Sequence, residues 1–149
     1  MSPFDPRSLI FAKHAQHVVL VHFPIALCLV SILFDFIAQW RKSHVLAEVA
    51  YYNLLVAAIS TVPVLATGLL AWHFQLEGQR LKGKLLLHLV LGSVAACLIW
   101  VVWSIHFRAH RDPERKLPLY RLPIELGAAA VVALTAHLGG FLSGVNGAG

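Results

Sequence analysis

Charge is what this sequence has least of. Only 13% of its 149 residues are Asp, Glu, Lys or Arg, against about 25% in an ordinary soluble domain. Meanwhile 58% are hydrophobic and the mean hydropathy is +0.73. Such a chain cannot dress a globular surface in charge. It reads as an integral membrane protein, with 1–149 forming a single domain. Cysteine is almost absent. Cys28 and Cys97 both lie within apolar runs, and there is no C-x-x-C-H. A covalently attached haem and a cysteine zinc site are therefore not expected, and both thiols read as inert. Nucleophile triads, phosphate loops and paired catalytic carboxylates are also missing. This leaves hydrolysis, phosphoryl transfer and a flavin or nucleotide cofactor without support. Strand-like alternation does not occur, and no internal repeat is obvious.

What is present is four apolar runs of spanning length, about 20 residues each. They cover roughly 17–40, 46–73, 85–107 and 122–142. Backbone groups in lipid must be satisfied within their own segment, so these runs are expected to be helices. The first connection, Arg41-Lys-Ser-His44, is short enough to force an antiparallel hairpin. The expected fold is all-α, an integral-membrane antiparallel four-helix bundle. Residues 1–16 are mixed, with Pro3, Asp5, Pro6 and Arg7. The first apolar run exceeds a signal-peptide core and should stay in the membrane rather than be cleaved. Pro24 falls near a helix start. Pro63 falls mid-span, where a kink is expected. The Gly- and Ser-rich stretch after His137 is expected to be irregular.

The net charge is +5 and the pI about 9.6, but the bases sit between apolar runs. They suit lipid head groups, and no motif speaks for nucleic acid. With four spans, both termini and the second connection share one side, carrying Arg7, Lys13, Arg80, Lys82 and Lys84. The opposite side carries Arg41, Lys42, Arg108, Arg111, Arg115, Lys116 and Arg121. The richer side points to the cytoplasm, so the termini are expected to be periplasmic in a bacterial inner membrane.

Nine histidines is many for this length. Antiparallel threading assigns each a depth. His22 lies about 7 Å inside the first span at 1.5 Å per residue. His73 ends the second span on the same side, His88 lies about one turn into the third, and His137 about one turn and a half from the end of the fourth. His14 and His17 stand above them at the interface. His44, His106 and His110 belong to the other side and read as head-group residues. An imidazole within a span needs a partner. Ligation of a b-type haem needs histidines at one depth on facing helices, room for the porphyrin, and cations for its propionates. Gly92, Ala95 and Ala96 follow His88 on its face, and Ala129, Ala130 and Ala133 precede His137. These small residues equally suit close packing between membrane helices. Arg80, Lys82 and Lys84 are on the correct side for propionates. The candidate cofactor-binding residues are thus His22, His88, His137, His73, His14, Arg80, Lys84 and Gly92, with the first four also the candidate metal ligands. The expected role is electron transfer between a quinone or membrane dehydrogenase and a redox partner, as an accessory subunit or homo-oligomer rather than a stand-alone enzyme. The alternatives are a cofactor-free structural or assembly subunit, and a metal or proton transporter. Asp35 is an intramembrane acid for which Lys42, Arg121, Tyr51 or Tyr52 could serve as partner. Trp40, Trp72, Trp100 and Trp103 read as interface anchors.

Val21-His22-Phe-Pro-Ile-Ala-Leu27 followed by Phe34-Asp35, with His88 in the third span and His137-Leu-Gly139-Gly140 near the end, resembles the bacterial four-span membrane family catalogued as domain of unknown function 2231. The resemblance covers nearly the whole chain and implies the four-span fold. It draws attention to His14, His22, Asp35, Thr67, Gly68, His88, His137, Gly139 and Gly140. The family often continues with a tyrosine and a further histidine, where this chain has Ser143 and Asn146. The resemblance implies no activity.

Overall fold

A computed structural model describes residues 13–75, 80–114 and 116–143, with side chains from 16 to 74 in the first of these stretches. Four helices follow one another: α1 (Lys13–Arg41), α2 (His44–Gln75), α3 (Gly83–Arg111) and α4 (Arg121–Leu142). Each holds an apolar segment long enough to cross a bilayer. The all-α antiparallel bundle is as expected, but every helix except α4 is longer than its apolar run. The polar ends are helical too, because they continue the backbone ladder into the head-group zone. Pro24 is therefore well inside α1, and both it and Pro63 sit in continuous helices. The helix also runs through Gly139 and Gly140 to Leu142, further than the glycine content suggests.

Lys42 and Ser43 alone join α1 to α2. Lys42 adopts a left-handed φ of 52°, which lets the Ser43 N–H reach back to the Ala38 carbonyl at 2.9 Å. At the other hairpin the Asp112 N–H caps α3 on Arg108 and Ala109, and the Arg121 N–H bonds Pro118 O at 3.2 Å.

The helices form a closed ring in chain order. The pair α1–α2 packs most extensively, α3–α4 next, and α1–α4 least among the neighbours. Helices α1 and α3 therefore stand across the ring from each other. Cys28, Ala57, Ala58, Ile99 and Val132 fill the centre. Small residues let the backbones approach, which matters where lipid tails remove most of the hydrophobic drive for helix association. The outward faces are apolar: Phe23, Leu33, Ile59, Val62, Leu126 and Leu134 are all more than half exposed. Trp100 and Trp103 are not interface anchors. Trp100 donates Nε1–H to Thr61 Oγ1 at 3.1 Å, and Trp103 packs against the core.

A repeat becomes visible once burial is known. Shifting the chain by 71 positions lays α1–α2 on α3–α4. Buried Cys28, Ser31, Asp35 and Ala38 then fall on buried Ile99, Val102, His106 and Ala109. Buried Ala50, Leu54, Ala57 and Thr61 fall on buried Arg121, Glu125, Ala128 and Val132. The bundle is two related hairpins whose inward positions match while their residue types differ. That is why the sequence by itself shows no obvious repeat.

Candidate functional site

The terminal end of the bundle holds a layer of imidazoles. His17 on α1 donates Nδ1–H to the Val64 carbonyl of α2 at 3.1 Å, with Thr67 Oγ1 at 3.3 Å. Its ring lies so close to Gly68 that a Cβ there would come within 3.0 Å of Cε1. On α3, His88 is half-buried and its ring lies against Gly139 of α4, where a Cβ would come within 3.2 Å of Cε1. The His88 Nδ1 is shielded from solvent and makes no hydrogen bond of ordinary geometry. Under the shift of 71, His17 falls on His88, Val64 on Thr135 and Gly68 on Gly139. Each hairpin thus places an imidazole near the start of its first helix against a glycine of its second, and at His17 a backbone carbonyl one turn before that glycine bonds the ring.

The remaining expected ligands stand differently. His22 is exposed on the outward face of α1 and donates Nδ1–H to its own helix, to Val18 O at 2.7 Å. His137 is exposed and meets Phe141 edge-on; His73 is exposed and meets Phe74 likewise. The His14 side chain lies outside the described residues. Gly92 has only Thr135 Cγ2 nearby, 3.8 Å from where a Cβ would stand. Lys84 Nζ lies 4.8 Å from the centroid of the Phe141 ring, and Arg80 is exposed. The structure therefore brings His17 and His88 into matched settings at one depth, and leaves His22 and His137 on the outer surface.

At the connection end lies a second constellation, which sequence reasoning reached only through Asp35. Arg121 is the first residue of α4 and is fully buried. It donates Nη2–H and Nε–H to Asp35 Oδ2 of α1, at 2.6 and 3.1 Å. Arg121 was one of four partners expected for Asp35, and it is the one used. Its Nε also lies 3.4 Å from Glu125 Oε1, one turn on. His106 is no head-group residue. It is 5% exposed and donates Nε2–H to Glu125 Oε1 at 2.9 Å. Asp35 Oδ1 and Glu125 Oε2 are buried and have no hydrogen-bond partner. The donor atoms of Asp35, His106 and Glu125 lie within 4.8 Å of one another, a spacing a metal ion could bridge. The Arg121 guanidinium already bonds Asp35 and sits beside Glu125, so a fixed cation fills the role an ion would have. The signal that could have revealed this cluster is the pair Arg121 and Glu125, four residues apart in the first turns of an apolar run. Such a pair cannot face lipid.

A family model described as predicted membrane protein (DUF2231) matches residues 13–149. The chain belongs to this family. No curated protein and no solved structure matches it. Of the positions the family resemblance singled out, Asp35 anchors the ionic cluster, while Thr67, Gly68, His88 and Gly139 build the two imidazole settings. His22 and His137 are exposed in this DUF2231 member.

In the imidazole layer, the hydrogen bond of His17 matches the pattern common to metal-ligating histidines. A carbonyl can only accept, so the nitrogen bonded to it must carry the proton, and in a neutral ring the lone pair then resides on Nε2. Ligating histidines typically show this arrangement, with one ring nitrogen tied to a backbone carbonyl and the other directed at a metal. His17 has it; the His88 Nδ1 is buried without a hydrogen-bond partner among the described residues. The two stand on helices across the ring from each other.

Proposed function

We propose that this protein is a small b-type cytochrome of the bacterial inner membrane, in which His17 and His88 are the axial ligands. The observation that carries the reading is the matched setting of these two imidazoles in the two hairpins. His22, His137, His73 and His14 are then auxiliary groups around that layer. Bound in this way, a haem supplies reversible one-electron transfer. The chain's own residues hold it. The Val64 carbonyl fixes the His17 tautomer, Gly68 and Gly139 leave space for the rings, and Arg80 with Lys82 and Lys84 provide cations at the head-group level for propionates. The apolar outward faces suit a quinone in the bilayer or further subunits of a redox complex, and the charge bias of the loops supports termini on the periplasmic side.

The test is the reduced-minus-oxidised absorption spectrum of protein purified in detergent after haem-sufficient expression. A Soret and an α band are expected in the wild type. They should be lost in His17→Ala and in His88→Ala and kept in His22→Ala. Folded wild-type protein without either band refutes the reading. Bands that survive both of the first two substitutions refute the ligand assignment.

A further inference from the structure

We propose that Asp35, Arg121, Glu125 and His106 form a buried proton-binding site that takes up and releases one proton from the connection side of the membrane. The argument is one of charge. Two carboxylates share a single permanent cation, since a guanidinium is effectively always protonated. With a neutral His106 the cluster carries one net negative charge, and all four groups are shut off from water. An uncompensated charge in such a place costs several kcal/mol. One more proton makes the cluster neutral. The geometry offers it a place on the buried Glu125 Oε2 or Asp35 Oδ1, neither of which has a hydrogen-bond partner among the described residues. The partnerless Glu125 Oε2 and Asp35 Oδ1 show that the acceptors outnumber the donors in the cluster, which is the mark of a site with capacity for a further proton.

The site also has a mouth. His110 lies one turn from His106 on α3, toward the helix end, and is about 30% exposed. Its ring stacks on Tyr51 of α2 with centroids 4.3 Å apart, and its Nδ1 lies 3.7 Å from Glu48 Oε1. The titratable and charged groups in or near the cluster are Cys28 and Asp35 on α1, Glu48 and Tyr51 on α2 toward the connection, His106 and His110 on α3, and Arg121 and Glu125 on α4. On the inner side, one turn from His106 and Glu125 along α3 and α4, Val102 and Ala128 pack with Leu54. The partly exposed titratable groups nearest along α2 and α3 stand on the connection side, the side from which the proposed site exchanges its proton. This holds whether or not the imidazole layer binds haem.

Infrared difference spectroscopy of the full-length protein in detergent, between acidic and alkaline buffer, reads this directly. A protonated-carboxyl C=O band or a paired carboxylate and imidazole change is expected, with an amplitude of one proton. Carbon-13 labelling of glutamate or aspartate assigns it. The band should move with the glutamate or the aspartate label and disappear in Glu125→Gln. In His110→Ala it should keep its amplitude but respond more slowly to a pH jump. If Glu125→Gln does not fold, the label shift in the wild type decides alone. A folded wild type with no pH-dependent band at these side chains overturns the proposal. So does zinc that abolishes the band and stays bound through gel filtration, which would make the cluster a metal site.

Discussion

Arg121 is a single side chain whose removal reaches two helices. It lies in the first turn of α4, yet its strongest bonds are to Asp35 on α1. Arg121→Leu leaves two buried carboxylates without their fixed cation. Breaking a buried pair from one side costs about 3–5 kcal/mol, whereas replacing both partners with apolar residues is often near neutral. Arg121→Leu is therefore expected to lower the thermal unfolding temperature in detergent sharply, and the double variant Asp35→Leu/Arg121→Leu to recover most of the loss. A double variant no more stable than Arg121→Leu would mean that the pair contributes through something other than charge compensation. The same reasoning explains why His106 was misplaced from sequence. Its depth from the helix end is that of a head-group residue, and only the rotation of α3 turns it inward onto Glu125.

At the scale of the helix, identical substitutions should have opposite signs according to what a new methyl group meets. A Cβ on Gly127 of α4 meets nothing within 4 Å. Gly127→Ala there removes backbone freedom in the unfolded chain and should stabilise by up to about 1 kcal/mol. A Cβ on Gly68 would stand 3.0 Å from the His17 ring. Gly68→Ala requires the imidazole, held by the Val64 carbonyl, to shift by a few tenths of an ångström, and overpacking of this kind costs about 1–3 kcal/mol where the neighbour is held in place. Thermal melts of the two variants beside the wild type check both signs, and a stabilised Gly68→Ala would show that His17 is not held there. Helix number, order and antiparallel threading were legible in the sequence because a membrane segment is defined by length and hydropathy alone. Which face of a helix looks inward was not. The outward faces are as apolar as the core, so Phe23 in lipid and Cys28 in the centre carry the same sequence signal, and His22 was placed in the layer that His17 occupies.

For the molecule as a whole, the match of buried positions between the hairpins implies that each hairpin is a folding unit and that the seam between them is specific. The strongest packing is within the hairpins, α1 with α2 and α3 with α4. Across the seam α1 and α4 share the smallest neighbouring interface, and there the Asp35–Arg121 pair supplies a bond that apolar side chains in lipid cannot replace. Small residues on α2 and α3, among them Ala57, Ala58 and Ala95, fill the other seam. A polypeptide ending after Gln75 and a second one beginning at Arg80 each retain one complete hairpin. Co-expressed with a tag on only one, the two are expected to co-purify from detergent extracts and to give a single cooperative melt. Replacing Arg121 with Leu in the second piece should weaken association by about a hundredfold or more, because about 1.4 kcal/mol corresponds to each factor of ten and breaking the buried pair costs about 3–5 kcal/mol. Gly127→Ala in the same piece should leave it unchanged. If the pieces fail to associate while each inserts as a helical hairpin, the covalent link holds the seam together. If Arg121→Leu associates as well as the wild type, the small residues between α2 and α3 suffice, and the ionic cluster is free to serve its proton alone.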